Sequence, residues 1–301
     1  MITYFKRTIR DKEIKDIPSL EKGCWINVVN PTEQEINYLV DEFKMDKQNL
    51  ISGLDQNELP RVDFVEGNVY IFVKTITPSL KTLDTYLIVI AENFILTLSK
   101  EEPGFIKNVL DNKIEFITTQ KLKCLIRVFS LIDRSFEKST IDIIKIVNAT
   151  KIQASRLKEK DVVNLIHQEN ILNNMVSSYY YTNLLYERIV KRLQFFKEDK
   201  EILEDLMVEA NQGFNLCKSS LKTISNIRDY NMIALSNRLN RTITILTIFT
   251  IFISIPAAIS GIYGMNIRLP FQQDPLAFYY ILPVIVGIWI IFILYLKKKL
   301  F

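Results

Sequence analysis

Apolar positions follow three different rhythms along the chain, and each predicts a different kind of structure. Over residues 1–100 they alternate or gather in short runs rich in Val, Ile, Thr and aromatics: Ile2–Arg7, Cys24–Val29, Val69–Thr77, Thr85–Ile90 and Phe94–Leu98. Such runs read as strands, with turns at Asn57-Glu-Leu-Pro60 and Glu66-Gly-Asn68. Thr32-Glu-Gln-Glu35 has the spacing of a capping box, in which a hydroxyl and a carboxylate each bond the other's backbone N–H. It opens a predicted helix to about Met45, with Ile36, Leu39, Val40 and Phe43 on one face. Beyond Gly104, glycine and proline become rare and apolar residues mix with charges of both signs, the texture of long helices. Breaks near Lys158–Asp161 and Phe196–Lys200 predict three of them. The last begins at about Glu201 and runs directly into an apolar segment; some 60 residues at 1.5 Å each make a rod of about 90 Å. A rod of that length projects from a globular core and packs against copies of itself.

The third rhythm is the absence of one. From Thr242 to Ile267 there is no Asp, Glu, Lys or Arg, and from Pro275 to Leu296 there is none either. Each stretch exceeds the roughly 20 apolar residues that cross a hydrocarbon layer of about 30 Å. A buried helix of a soluble protein accounts for one such stretch; two in succession, joined by a short turn, read as a membrane hairpin. The expected organisation is a cytosolic α/β domain over 1–118 and a long-helix stalk over 119–241. A first transmembrane helix over 242–264, an external loop over 265–275, a second transmembrane helix over 276–296 and a basic cytosolic tail over 297–301 complete it.

Charge sets the orientation. The net charge of +4 is unremarkable, but Arg238 and Arg241 precede the first apolar stretch and Lys297, Lys298 and Lys299 follow the second, while Arg268 and Asp274 cancel in the loop. Lys and Arg collect on the cytoplasmic side, so both termini are expected inside the plasma (inner) membrane. The opening MITYFKRTIR lacks the apolar core of a signal peptide. Cys24, Cys124 and Cys217 are odd in number and far apart, which excludes a CxxC pair and predicts small buried apolar side chains. His167 is the only histidine and reads as a polar helix-face residue. No GxxxxGK phosphate loop is present, which argues against an ATP-driven pump. The chain is expected to be no enzyme, with no organic cofactor and no nucleic-acid partner.

The last long helix carries a seam. With Asn240 at heptad position a, the a and d positions are Ile233, Ser236, Asn240, Ile243, Thr247, Thr250, Ser254, Ala257, Gly261 and Gly264, with Asp229 one step before. Beyond Ile243 the seam holds no large side chain, although Thr242, Thr244 and Ser260 lie off it. Two readings stand side by side. Small residues let membrane helices approach closely; alternatively the seam lines a narrow wettable path, as polar groups aligned on one face commonly do. The second reading requires an oligomer with the first spans innermost. Asp229 also reads as a rod charge with a salt-bridge partner, and Asn266 as a helix C-cap.

Tyr263-Gly264-Met265-Asn266, at the outer end of the first of two C-terminal apolar stretches, resembles the hallmark of the CorA magnesium transporters. The likeness extends back through Asn240-Arg-Thr-Ile-Thr-Ile-Leu-Thr247 and Pro256, and forward to Lys297–Lys299. The resemblance implies a funnel-shaped homopentamer in the lipid bilayer that admits Mg2+, with Co2+ or Ni2+ as further cargo. It implies an ion entrance built from Gly264, Met265 and Asn266, and pore rings at Asp229, Asn240, Ile243, Thr247, Thr250, Ser254, Ala257 and Gly261. It further implies a regulatory Mg2+ site at Asp205, with Asp84 as its suggested partner in the α/β domain. Three positions depart from well-known relatives: Ala257 where they carry Thr, Ser254 where they carry Met, and Arg268 where acidic residues commonly follow the motif. The hydrophobic constriction then rests on Ile243 and Leu246, and cation capture on Asp274 and the amides. The rival expectations are a zinc or other divalent-metal transporter of the same fold, and a non-conducting membrane-anchored scaffold.

Overall fold

A computed structural model describes residues 1–78, 82–152, 154–271 and 274–300, without the side chains of 156, 277, 278 and 295–300. The side chains of Lys297–Lys299, the terminal Phe301, and Gln272 and Gln273 of the expected external loop lie outside that description. The chain divides into two compact units, Met1–Asp229 and Tyr230–Phe301.

The first unit is built on one sheet of seven strands: β1 (Ile2–Lys6), β2 (Lys15–Ile17), β3 (Cys24–Val29), β4 (Arg61–Val65), β5 (Asn68–Ile76), β6 (Leu83–Ile90) and β7 (Phe94–Ser99). Their order across the sheet is β2-β1-β3-β7-β6-β5-β4. Neighbours run antiparallel except β3 and β7, which pair in parallel from Cys24 opposite Phe94 to Val29 opposite Ser99. The five strands expected from the sequence are present, with ends displaced by two residues at most. Two more, β2 and β4, hold the outer edges. β4 and β5 form a hairpin through Glu66 and Gly67, both at positive φ, the backbone that two-residue hairpin turns demand.

Both sheet faces are covered. Helix α1 (Glu33–Phe43) opens with the expected capping box, Thr32 and Glu35 exchanging side-chain bonds to each other's N–H. Together with α2 (Lys47–Ser52) it lays Ile36, Leu39 and Leu50 over Ile26, Tyr70, Leu87 and Leu96. On the other face Trp25, Ile71, Tyr86 and Ile88 meet Leu125, Phe129 and Ile132 of α4 (Lys121–Ile152); the short α3 (Gly104–Leu110) precedes that helix. The core continues through α5 (Glu159–Arg192) into the first part of α6 (Lys197–Tyr263), by way of Leu172, Met175, Tyr179, Leu206, Ala210 and Ile224. The three predicted long helices are therefore observed, with a 3-10 turn at Ala154–Arg156 after the first. Gly213 is dictated by packing: a Cβ there would sit 2.4 Å from the Tyr179 ring.

The three cysteines are free and buried, and His167 is exposed on α5, both as expected. In the second unit the end of α6 lies against α7 (Ala277–Leu300). Phe252 packs on Trp289, with ring centroids 5.1 Å apart, and edge-on to Phe292 at 6.4 Å.

Candidate functional site

Within the second unit, helix α6 shows two unlike faces. Ile248, Ile251, Phe252, Ile255, Ile259 and Tyr263 are half-buried, spaced by three and four residues as one helical face requires. Ile243, Thr247, Thr250, Ser254, Ala257, Gly261 and Gly264 are all exposed. At about 100° per residue this second stripe lies roughly half a turn from the first, so the small residues point away from α7. A Cβ at Gly261 would meet nothing within 4 Å. Nothing in the single chain asks for a glycine there.

The hydroxyls on this helix are oriented by the backbone. Thr247 donates to the Ile243 carbonyl at 2.8 Å and Thr250 to the Leu246 carbonyl at 2.9 Å. Thr244 does the same to Asn240 at 2.8 Å. With its proton committed four residues back, each hydroxyl offers only oxygen lone pairs to its surroundings. Pro256 lies inside the helix and removes one N–H from the ladder, so the Phe252 carbonyl lacks its usual partner.

The helix ends by tightening. Gly264 N–H donates to Ser260 O at 2.9 Å, and Met265 N–H to Ile262 O at 3.1 Å, a change from four- to three-residue spacing that typifies helix ends. A Cβ at Gly264 would stand 3.2 Å from the Ser260 carbonyl oxygen, closer than most neighbours tolerate. Tyr263 reaches 3.5 Å from its hydroxyl to Pro270 O, tying the following loop to the helix. Asn266 is exposed, and its carboxamide meets no partner among the described residues. Asp274 accepts the Leu276 N–H at 2.8 Å, so part of its carboxylate is spent on the backbone ahead of α7.

The remaining candidates are scattered. Asn240 is exposed on α6. Asp229 is exposed and forms no ion pair among the described residues; its neighbour Arg228 grips Glu169 of α5 at 3.0 and 3.4 Å. Asp205 is exposed on α6. Asp84 is buried on β6, one oxygen accepting the Thr85 N–H at 2.8 Å. Burial pulls the Lys74 ammonium below its usual range, while Asp84, Asp55 and Glu58 oppose that pull. Among the described residues no group of three or more His, Cys, Asp or Glu is placed to hold a metal ion.

Sequence reading missed Asp133. It lies four residues after Phe129 and three before Phe136, both core residues of α4, and that spacing is the signal that finds it. It is 6% exposed and accepts a hydrogen bond from Tyr186 at 3.0 Å. Burial pushes its carboxyl up to about 7, and Glu209 adds to the rise against the Tyr186 bond.

The family model for the CorA-like Mg2+ transporter protein matches residues 21–298. The chain belongs to the CorA family. The cobalt/magnesium transport protein CorA of Methanocaldococcus jannaschii is 25% identical over 290 residues, which cover 91% of this chain and 90% of that protein. Its namesake from Thermotoga maritima is 24% identical over 328 residues, covering 99% and 91% respectively. The complete structure of the M. jannaschii CorA magnesium transporter shares the fold, with a TM-score of 0.85 at 20% identity over 99% of this chain and 98% of that one. In this CorA family member, one α6 helix carries the small-residue stripe and ends at the Tyr-Gly-Met-Asn turn.

Proposed function

We propose that the chain is a magnesium transporter of the inner membrane, working as a channel assembled from identical chains. The observation that carries this reading is the small-residue stripe of α6, turned away from α7 and ending at Gly264-Met265-Asn266. In the assembly, 242–264 and 276–296 cross the bilayer, 265–275 faces outward, and both termini stay in the cytoplasm. Five copies, the number implied by the family resemblance, set their stripes around a common axis.

Mg2+ sheds water reluctantly and demands octahedral oxygen geometry. Neutral oxygens that bind its hydration shell therefore serve better than a carboxylate cage, because the ion must also leave. Asn266 supplies an amide oxygen at the entrance, beside the unobstructed carbonyl of Gly264 and the backbone of Met265. Below it Thr247 and Thr250 turn lone pairs to the axis, with Gly261, Ala257 and Ser254 keeping the bore open. Ile243 and Leu246 form the apolar constriction, and Asn240 and Asp229 draw the ion onward. The driving force is the membrane potential: about 2.3 kcal/mol per charge per 100 mV gives about 4.6 kcal/mol for a divalent ion. Asp205, with Asp84 as its suggested partner, forms the cytosolic brake by binding Mg2+ between copies. Co2+ is a second cargo of the same path, as the names of both curated relatives suggest; Ni2+ is a third.

The test is flux through the full-length chain in liposomes under an inside-negative potential, read with an internal Mg2+ indicator. Mg2+ influx is expected, and Asn266→Ala is expected to lower it more than tenfold. Absence of Mg2+ flux, flux of Zn2+ without Mg2+, or full flux in Asn266→Ala overturns the reading.

A further inference from the structure

One cavity of the first unit has no part in conduction. It is an open pocket where the segment before α4, the start of α4 and the first turns of α6 meet, with a volume of about 350 Å3, the scale of small-molecule sites. Glu115, Glu198 and Asp199 line it together with Lys123 and Arg127. Asp199 is 6% exposed, yet its carboxylate has no hydrogen-bond or ion-pair partner among the described residues. Lys123 and Glu198 are equally unengaged. Arg127 directs its Nε–H to the Glu115 backbone carbonyl at 3.4 Å instead of to a carboxylate. Asp side chains this buried are ordinarily paired. Here Asp199 shares the cavity with two more acids and two bases and pairs with none of them.

An occupant carrying both charges resolves this. Lys123 and Arg127 would repel a bare divalent ion, and no described group of three ligating side chains is placed to hold one. The three carboxylates would repel a bare phosphate. Mg2+ is commonly held through one or two carboxylates together with phosphate oxygens, while Lys and Arg bind phosphate by charge-assisted hydrogen bonds. We propose that this cavity binds a diphosphate group carrying Mg2+, the ion at Asp199 and Glu198 and the phosphates at Lys123 and Arg127. Phe116 and Ile202 add apolar surface to the lining. Binding here does not depend on conduction, so the two proposals fail separately.

The test is calorimetric titration of the full-length protein in detergent at constant free Mg2+, with inorganic pyrophosphate and with ADP, each repeated in EDTA. Saturable binding of one diphosphate per chain is expected, at least tenfold tighter with Mg2+ than in EDTA. Asp199→Asn is expected to weaken it at least tenfold. Lys123→Ala, at an exposed helix position that leaves the core intact, is expected to do the same. Binding of both probes assigns the shared diphosphate group as what is recognised; binding of one alone assigns the inorganic or the nucleotide source. No binding of either, binding indifferent to Mg2+, or binding unchanged in both variants overturns the proposal.

Discussion

In the unit Met1–Asp229 the chain buries its own large side chains, Trp25, Phe129 and Tyr186 among them. In Tyr230–Phe301 none of the described residues is buried, and the most apolar window of α6, with a mean hydropathy of 2.2, is 0% buried. Four glycines show the same contrast. Gly53 lies where a Cβ would come within 2.8 Å of Leu87, and Gly213 is fixed by Tyr179, but Gly261 and Gly287 meet nothing within 4 Å. Residue choices in the first unit are answered by contacts inside the chain. Those in the second are answered from outside it, under the proposed function by lipid and by neighbouring copies.

Five substitutions probe this contrast, in falling order of effect. Asn266→Ala should abolish most Mg2+ uptake while leaving thermal stability within about 0.5 kcal/mol, as expected of an exposed site; a large loss of stability would assign Asn266 a structural role. Asp133→Asn tests the opposite kind of residue, one buried inside the first unit. Because the folded protein holds its carboxyl up to about 7, Asp133 favours the fold in full below pH about 4, and that contribution is lost as pH rises through about 7. The loss is on the order of 4 kcal/mol. The melting temperature of the wild type should therefore fall between pH 5 and 8, and the fall should shrink in Asp133→Asn.

A matched pair comes next. Gly213→Ala forces the Tyr179 ring aside and should cost about 1–3 kcal/mol, read by thermal melting. Gly261→Ala should leave melting unchanged or raise it, since alanine favours a helix by about 1 kcal/mol over glycine, yet under the proposed function it should reduce uptake because the added methyl would face another copy. Equal uptake in Gly261→Ala would place that face against lipid. The smallest effect belongs to Thr32→Ala, which removes one half of the α1 capping box and should cost about 1 kcal/mol without altering flux.

The elements with strong local signals were readable in advance: the five inner strands, the Thr32 cap, the three long helices and the apolar stretches. The missed ones were short or edge-placed. β2 is only Lys15-Asp-Ile17, with its first two residues exposed, and β4, on the sheet's other edge, buries only Val62, with Arg61 and Asp63 half-buried and Phe64 exposed. Neither buries enough apolar surface to leave a pattern. Strand order was not readable, because the parallel β3–β7 pair joins residues some 70 apart. In the candidate site the Gly264-Met265-Asn266 turn stands out as a contiguous motif. Asp199 is separated from Lys123 and Arg127 by most of α4 and all of α5, and only folding brings it to their cavity.

The placing of β7 between β3 and β6 has a consequence for biosynthesis. The sheet cannot close until Ser99 has left the ribosome, since the middle strand arrives last. All seven strands are translated well before Thr242, and domains generally fold as units during synthesis, N-terminal first. The sheet can thus form before the first apolar stretch is made, so a defect in the sheet and a defect in membrane insertion should strand the nascent chain at different stages.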